Sequence, residues 1–500
     1  MSHLVIAPIL LPLLAGILLL LLRSLDIRWR RALGLAAMLA QVAVAITLLQ
    51  TVLDGPLLVY ALGNWQAPYG IVLVADPLAA WMVLITALLG LFALLYALRG
   101  ADQAGRHFHV LFQLQLFGLQ GAFLTGDLFN LFVFFEILLL ASYGLLLHGS
   151  GPQRSRAGLH FVVINLAGST LFLFAVGTLY GTFGTLNMAD LAVHIGQASP
   201  QQLGLARLAG LLLFGVFALK AALVPLHLWL PAAYSAATAP VAALFVIMTK
   251  VGAYGILRLD VLLFGAGEAS DLLDAWLLPL ALLTLALGTL GVMASTGLRR
   301  QVAWLVVISV GTLLTAFALG GVNGIAAGLY YLPHTTFAGA AFFLLADSLS
   351  VRRGEHDDHF VPHAALADRR LLGGLFFLVA ILVAGLPPLS GFIGKFLILR
   401  AALGSGAIAW VLAVVLAGGL LTIIALARSG SVIFYRSHPA EHATPTLQLW
   451  PELVPASGLL LLCLGLMIAA GPVDAVTRFI AGQLMQPEIY IQAVLGGAGS

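Results

Sequence analysis

Residues 385–395 read Gly385-Leu386-Pro387-Pro388-Leu389-Ser390-Gly391-Phe392-Ile393-Gly394-Lys395, inside an otherwise apolar run from 371 to 403. Proline removes a backbone donor and clashes with the turn before it. The run therefore predicts two half-helices around an unwound segment, with Lys395 beginning the second half. Non-helical backbone at membrane depth is tolerated only where it is buried in protein or lines a wet cavity. A second run, 206–230, carries the same signature in Lys220 followed by Pro225 and His227. Interrupted spans in matching places, five spans apart, point to an internal repeat with its sites at the repeat interface. Units of five spans joined in sequence are inverted relative to one another, which is transporter architecture.

The bulk composition agrees. Of 500 residues 61% are hydrophobic and 9% charged, with a mean hydropathy of +1.07, whereas soluble domains carry about 25% charged residues. A soluble enzyme is excluded, and the chain reads as a transporter component rather than an enzyme. Basic residues number 23; only Lys220, Lys250 and Lys395 are lysines, and all three sit in apolar stretches. A net charge of +3 without a polar basic domain predicts no nucleic-acid partner. A single cysteine, Cys463, leaves no intramolecular disulfide and no cysteine-based metal site. No cofactor or metal is expected. The apolar run 4–22 is followed, not preceded, by Arg23, Arg28, Arg30 and Arg31. That is the reverse of a signal peptide, and it reads as a retained first span.

At about 20 apolar residues per crossing, roughly fourteen spans emerge: 4–22, 32–53, 77–98, 109–125, 127–147, 157–183, 206–230, 240–262, 272–297, 300–319, 322–349, 371–403, 405–429 and 455–472. With the N-terminus outside, sixteen arginines fall on the cytoplasmic side and four (Arg207, Arg258, Arg400, Arg478) on the other. The positive-inside rule then predicts an even number of spans with both termini outside. The chain divides into an N-terminal three-helix segment (1–108), a first repeat (109–265), a second repeat (266–437) and a C-terminal helix and tail (438–500). The polar stretch Arg352 to Arg370 holds Glu355, His356, Asp357, Asp358, His359 and His363, residue types that bind metals. It reads more simply as an exposed, solvated loop. Residues 56–76, with Gly63-Asn64 and Pro68-Tyr69-Gly70, predict a small external hairpin.

An ionisable side chain at the bilayer centre costs about 2.5–3.5 kcal/mol, so Glu136, Lys220, Lys250 and Lys395 together oppose insertion by roughly 10 kcal/mol. Residues retained against that cost are candidate functional groups, and His334 and His227 join them. Glu136 shares its helical face with Phe129, Phe132, Leu140 and Tyr143; its plainer role is an acid paired to hold helices together. Asp127, after Thr125-Gly126, reads as the cap of the same helix. Lys220 is expected to face water inside the protein, with His227 on the same face if the helix survives Pro225. The alternative for His227 is a solvated interfacial histidine near Trp229. Lys250, Tyr254 and Arg258 follow at four-residue steps, a polar line from the bilayer centre to an edge; snorkelling is the alternative, opposed by the depth of Lys250. His334 follows Tyr330, Tyr331 and Pro333. An imidazole titrates near neutral pH, and Pro333 predicts a helix break beside it, whereas the plain alternative is a hydrogen-bonded core histidine.

Several of these segments resemble a known family. Pro225-Leu-His-Leu-Trp-Leu-Pro231, Ala239-Pro240 and Lys250-Val-Gly-Ala-Tyr254-Gly are similar to the core signature of the antiporter-like subunits shared by respiratory complex I, membrane hydrogenases and Mrp-type multisubunit cation/proton antiporters. Residues 385–395 resemble that family's broken twelfth helix. Asp127-Leu-Phe-Asn-Leu-Phe-Val-Phe-Phe-Glu136, followed by Ala141-Ser-Tyr143-Gly-Leu-Leu, is more similar to the D subunit of Mrp-type antiporters than to the complex I subunits. The resemblance implies a proton-translocating subunit of a Na+(K+)/H+ antiporter in the bacterial inner membrane, assembled with other subunits and surrounded by lipid. It implies a glutamate–lysine pair at Glu136 and Lys220, a midplane relay at Lys250, the eleventh-helix histidine at His334 and the lysine of the second half-channel at Lys395. Two positions depart from the pattern. Many relatives have a lysine shortly after the histidine, where this chain reads Phe337-Ala-Gly339-Ala, and Ala233-Tyr234 stands where others have Ala-His. The first departure places more of the relay on His334 and water. The alternatives are a proton-pumping subunit of a redox-driven complex and a purely structural subunit.

Overall fold

The computed structural model describes residues 3–496 except 266, 365, 367 and 439–448. Helices α1 (His3–Leu21) and α2 (Ile27–Asp54) lead into a hairpin of β1 (Leu58–Ala61) and β2 (Val72–Ala75), paired antiparallel with Leu58 opposite Ala75. This is the hairpin its turn residues predict. After it come α3 (Pro77–Ala97), α4 (Phe108–Leu124), α5 (Leu128–Leu146), α6 (Pro152–Phe183) and the short α7 (Met188–Gly196). Next are α8 (Pro200–Ala221), α9 (Trp229–Ala236), α10 (Ala239–Arg258), α11 (Leu277–Ala294), α12 (Leu298–Ala318) and α13 (Gly321–Arg353). The chain continues through α14 (Arg369–Ala384), α15 (Ser390–Ala402), α16 (Ile408–Gly430), α17 (Leu449–Ile468), α18 (Ala470–Leu484) and α19 (Pro487–Leu495).

Among the described residues, eleven helices are long and apolar enough to cross a membrane, or up to twelve if α17 and α18, bent by 83°, form one span. This is fewer than the sequence count of fourteen. Helix α4 has only 17 residues, and the run 371–403 is divided into α14 and α15, of 16 and 13 residues, neither of which crosses alone. Helices α7, α18 and α19 have no counterpart among the expected spans.

Helices apolar on every side belong in the interior and those with one apolar stripe at the edge. All 20 residues of α10 are buried, and α12 and α13 are nearly as enclosed. Leu14, Leu140, Leu166 and Leu420 project from the peripheral helices, the pattern of a surface made for lipid. Lys250 and His334 therefore lie on the innermost helices.

Two expectations are corrected. Helix α13 runs through Pro333 without a break, for 33 residues. Pro333 has no N–H for the Leu329 carbonyl, and the Trp81 indole Nε1 donates to that oxygen instead, at 3.3 Å. A neighbouring helix thus satisfies the freed group. The stretch from Arg352 is also not simply exposed. Arg352 and Arg353 are buried; Arg352 pairs with Glu452 at 2.8 Å, and Arg353 donates to the carbonyls of Asp357, His359 and Val361. Asp358 accepts from the Arg299 backbone N–H at 2.6 Å. The loop is drawn onto the bundle by arginines that need acceptors away from water.

Candidate functional site

Asp127 caps α5, its Oδ1 accepting from the Asn130 backbone N–H at 2.8 Å, as its place after Thr125-Gly126 predicts. The cap sets where Glu136 emerges, about two and a half turns later. Glu136 is half-buried, and the Ser169 hydroxyl of α6 donates to its Oε1. Lys220 is buried in the last turn of α8, where its Nζ donates to Asn165 Oδ1 at 2.9 Å. Asn165 and Ser169 are one turn apart on one face of α6. Helix α6 therefore stands between acid and lysine: among the described residues no ion pair within 4 Å joins Glu136 to Lys220, and each is held by a neutral side chain. Asn165 and Ser169 are not among the expected site residues. The available signal is a pair of polar residues spaced by four in an apolar span.

Helix α8 ends where Pro225 predicts. Ala222 takes the left-handed conformation at φ +59°, the Trp229 Nε1 donates to the Leu219 carbonyl at 3.1 Å, and Thr284 Oγ1 accepts from the Val224 N–H at 3.0 Å. Because the helix does not continue, His227 is not on the face of Lys220. It lies in the turn, buried, with its ring 5.6 Å from that of Trp304 and its Nδ1 without a partner. Tyr234, at the second departure from the family pattern, is a packing residue whose hydroxyl donates to the Phe245 carbonyl at 2.6 Å.

Lys250, fully buried on α10, donates to Ser309 Oγ of α12 at 3.2 Å. The His334 Nδ1 lies 2.9 Å from Ser390 Oγ at the first residue of α15. Lys395 sits about a turn and a half into α15, not at its start, and reaches back across the break. Its Nζ donates to the Ala384 carbonyl at 2.8 Å and lies 3.4 Å from that of Val383. These are the last carbonyls of α14. Lys395 thus meets the C-terminal end of a half-helix, where unpaired carbonyls and the negative dipole end favour a cation, and Lys220 stands in the last turn of the other half-helix, α8, but donates to Asn165. Glycine makes the approach possible: a Cβ on Gly385, which has φ +79°, would come 2.7 Å from Lys395 Cδ, and one on Gly391 would come 2.8 Å from His334 Nε2.

Ser309, His334 and Lys395 line one cavity of about 20 Å³, with Ala338 and Gly339 in its wall. A water needs roughly 10–15 Å³, so the space suits one. Its small-residue wall falls in the Phe337–Ala340 segment, the first of the two expected departures from the family pattern. The outer end of the Lys250 line is closed: Arg258 pairs with Asp76 at 2.6 Å, its Nε donates to the Tyr254 hydroxyl at 3.0 Å, and that hydroxyl donates to the Phe123 carbonyl at 2.7 Å. Five of the six expected residues therefore form two groups, Glu136 with Lys220 across α6, and His334 and Lys395 on the cavity with Lys250 behind its Ser309 wall, while His227 stands apart beside Trp304. Among the described residues no hydrogen bond joins the groups, although α8 and α10 pack so closely that a Cβ on Gly252 would lie 2.4 Å from the Ala221 nitrogen.

The family model described as "NADH:quinone oxidoreductase/Mrp antiporter, TM" matches residues 125–422, which include all six expected site residues. The chain is 42% identical to the D subunit of a probable K+/H+ antiporter of Rhizobium meliloti, over 100% of this chain and 99% of that protein. It is 37% identical to the D subunit of a Na+/H+ antiporter of Alkalihalophilus pseudofirmus, over 99% and 100%. Its fold matches a chain of the Mrp complex from Dietzia sp. with a TM-score of 0.88 at 29% identity, covering 99% of each. The chain therefore belongs to the NADH:quinone oxidoreductase/Mrp antiporter membrane family, among its antiporter D subunits.

Proposed function

We propose that this chain is the proton-translocating subunit of a multisubunit monovalent cation/proton antiporter in the bacterial cytoplasmic membrane. The carrying observation is the water-sized cavity on which Ser309, the partner of Lys250, meets His334 and Lys395. Residues from α12, α13, α14, α15 and α16 converge there, and Lys250 of α10 reaches it through Ser309; a proton passing from Lys250 through Ser309 and one water reaches either His334 or Lys395. Whole-length similarity to subunits named for Na+ or K+ exchange supports the antiporter reading over the redox-driven one.

In the first half, Glu136 and Lys220 are linked by Ser169 and Asn165 rather than by direct contact. A shift of α6 relative to α5 and α8 brings the carboxylate towards the ammonium or away from it. Towards it, Lys220 holds its proton; away from it, burial expels the charge, and the proton moves towards Lys250. The relay then crosses the α8/α10 packing at Gly252. Counting α4 and the pairs α14/α15 and α17/α18 as spans brings the crossings to fourteen, consistent with two inverted five-span repeats and both termini outside.

The test is Glu136→Ala and Lys220→Ala, each assayed for cation-dependent proton exchange in everted vesicles. Intact assembly with exchange reduced at least tenfold is expected. Normal exchange in either variant would falsify the relay.

A further inference from the structure

We propose that the cleft at the C-terminal end of α1 binds the phosphate headgroup of an anionic membrane lipid. The cleft, of about 680 Å³, lies between the end of α1, the start of α2 and the α3–α4 connection, and Arg23, Arg30 and Arg106 are on its walls. Its volume is within the roughly 300–1,000 Å³ of small-molecule sites.

Its charge is uncompensated. Among the described residues none of the three guanidiniums has a carboxylate within 4 Å or makes a side-chain hydrogen bond to another residue, and Arg30 Nε is buried without a partner. The carboxylate on the wall, Asp102, is committed elsewhere: Arg31 grips both its oxygens at 2.7 Å, and His109 Nε2 lies 3.1 Å away. Planar guanidiniums match phosphate oxygens in pairs, so the vacant hydrogen-bonding capacity on these walls suits a phosphate.

The other walls identify the source of that phosphate. Leu19 and Ile27 line the cleft, and the adjoining turns of α1 expose Leu14, Ile17, Leu18 and Leu21. A cationic head position thus continues into an apolar track along a membrane-spanning helix, at the level where Arg23 follows the last apolar turn. A phospholipid fills both parts, whereas free phosphate fills only the first.

The full chain, purified with whatever subunits accompany it, is titrated in detergent with dioleoylphosphatidylglycerol, dioleoylphosphatidylcholine or inorganic phosphate, and bound adducts are counted by native mass spectrometry. The phosphatidylglycerol is expected to bind more tightly than the other two. Its affinity should fall on the order of 100-fold in Arg23→Gln/Arg30→Gln/Arg106→Gln and roughly fivefold in Arg106→Gln alone, following the contribution of each basic residue to anionic-lipid binding. The exposed Arg156→Gln, elsewhere on the molecule, should change nothing. If the triple variant does not fold, Arg106→Gln, in an exposed loop, carries the test. Unchanged lipid affinity in the arginine variants overturns the proposal. So does phosphate binding as tightly as the lipid, or an acidic segment of a neighbouring subunit crosslinking at position 106 in place of lipid.

Discussion

Each of the three lysines finds a neutral acceptor: Lys220 the Asn165 amide, Lys250 the Ser309 hydroxyl and the half-buried Lys395 the Ala384 carbonyl. Such groups solvate an ammonium without the full Coulombic hold of a carboxylate, as the proposed relay requires of a lysine that must release its proton. The residues that decide this are the inconspicuous ones. Asn165→Leu leaves Lys220 without its acceptor in an apolar surround, and loss of a hydrogen bond to a charged group costs about 1.5–3 kcal/mol. We expect a lower unfolding temperature in detergent and cation-dependent exchange reduced roughly tenfold, the latter estimated from the same energy range. Wild-type exchange in Asn165→Leu would remove α6 from the mechanism.

At the level of elements, the informative parts are the broken helices. Breaks at Pro225 and at Pro387-Pro388 were readable because a missing N–H acts on the residue that lacks it and on the turn just before. The unbroken α13 was not readable, because the group that rescues the Leu329 carbonyl is Trp81, on a helix far away in sequence. The 385–395 break depends on close backbone approach: a Cβ on Gly391 would lie 2.1 Å from the Leu382 carbonyl oxygen. Gly391→Ala must therefore push α14 and α15 apart and displace His334. Its exchange activity should be lost, while Gly374→Ala, with open space around the new methyl, should retain it and gain up to about 1 kcal/mol of helix stability. Parallel transport assays and thermal unfolding of the two variants separate these outcomes.

Across the whole molecule, ion pairs outside the relay tie distant segments together. Asp76, the cap of α3, is held by Arg258 at the end of α10. Asp102 joins Arg31 of α2 to His109 of α4. Burial pushes the Asp102 carboxyl up, but hydrogen bonds from His109 and Arg31 outweigh it and hold the group at about 2. The folded value lies below the unfolded value of about 3.9. The stabilisation is therefore present above that unfolded value and is lost as pH falls through the folded one. We expect the unfolding midpoint in detergent to drop between about pH 4 and pH 2. In Asp102→Asn that drop should be absent, and stability at neutral pH should be lower by about 2 kcal/mol. An unchanged acid profile in the variant would show that the Asp102 cluster does not hold the N-terminal helices.

Membrane residence, the two breaks, the cap at Asp127, the hairpin and the identities of the buried charges were legible in the residues alone. Apolar length, a missing N–H and a charge in an apolar run are local properties. Their partners were not legible. Whether Glu136 touches Lys220, where His227 points, which carbonyls receive Lys395 and how Ser309, the partner of Lys250, shares a cavity with His334 all depend on helices separated by tens to hundreds of positions. A buried polar group takes whichever donor or acceptor packing brings within about 3 Å, and only the folded bundle sets that choice.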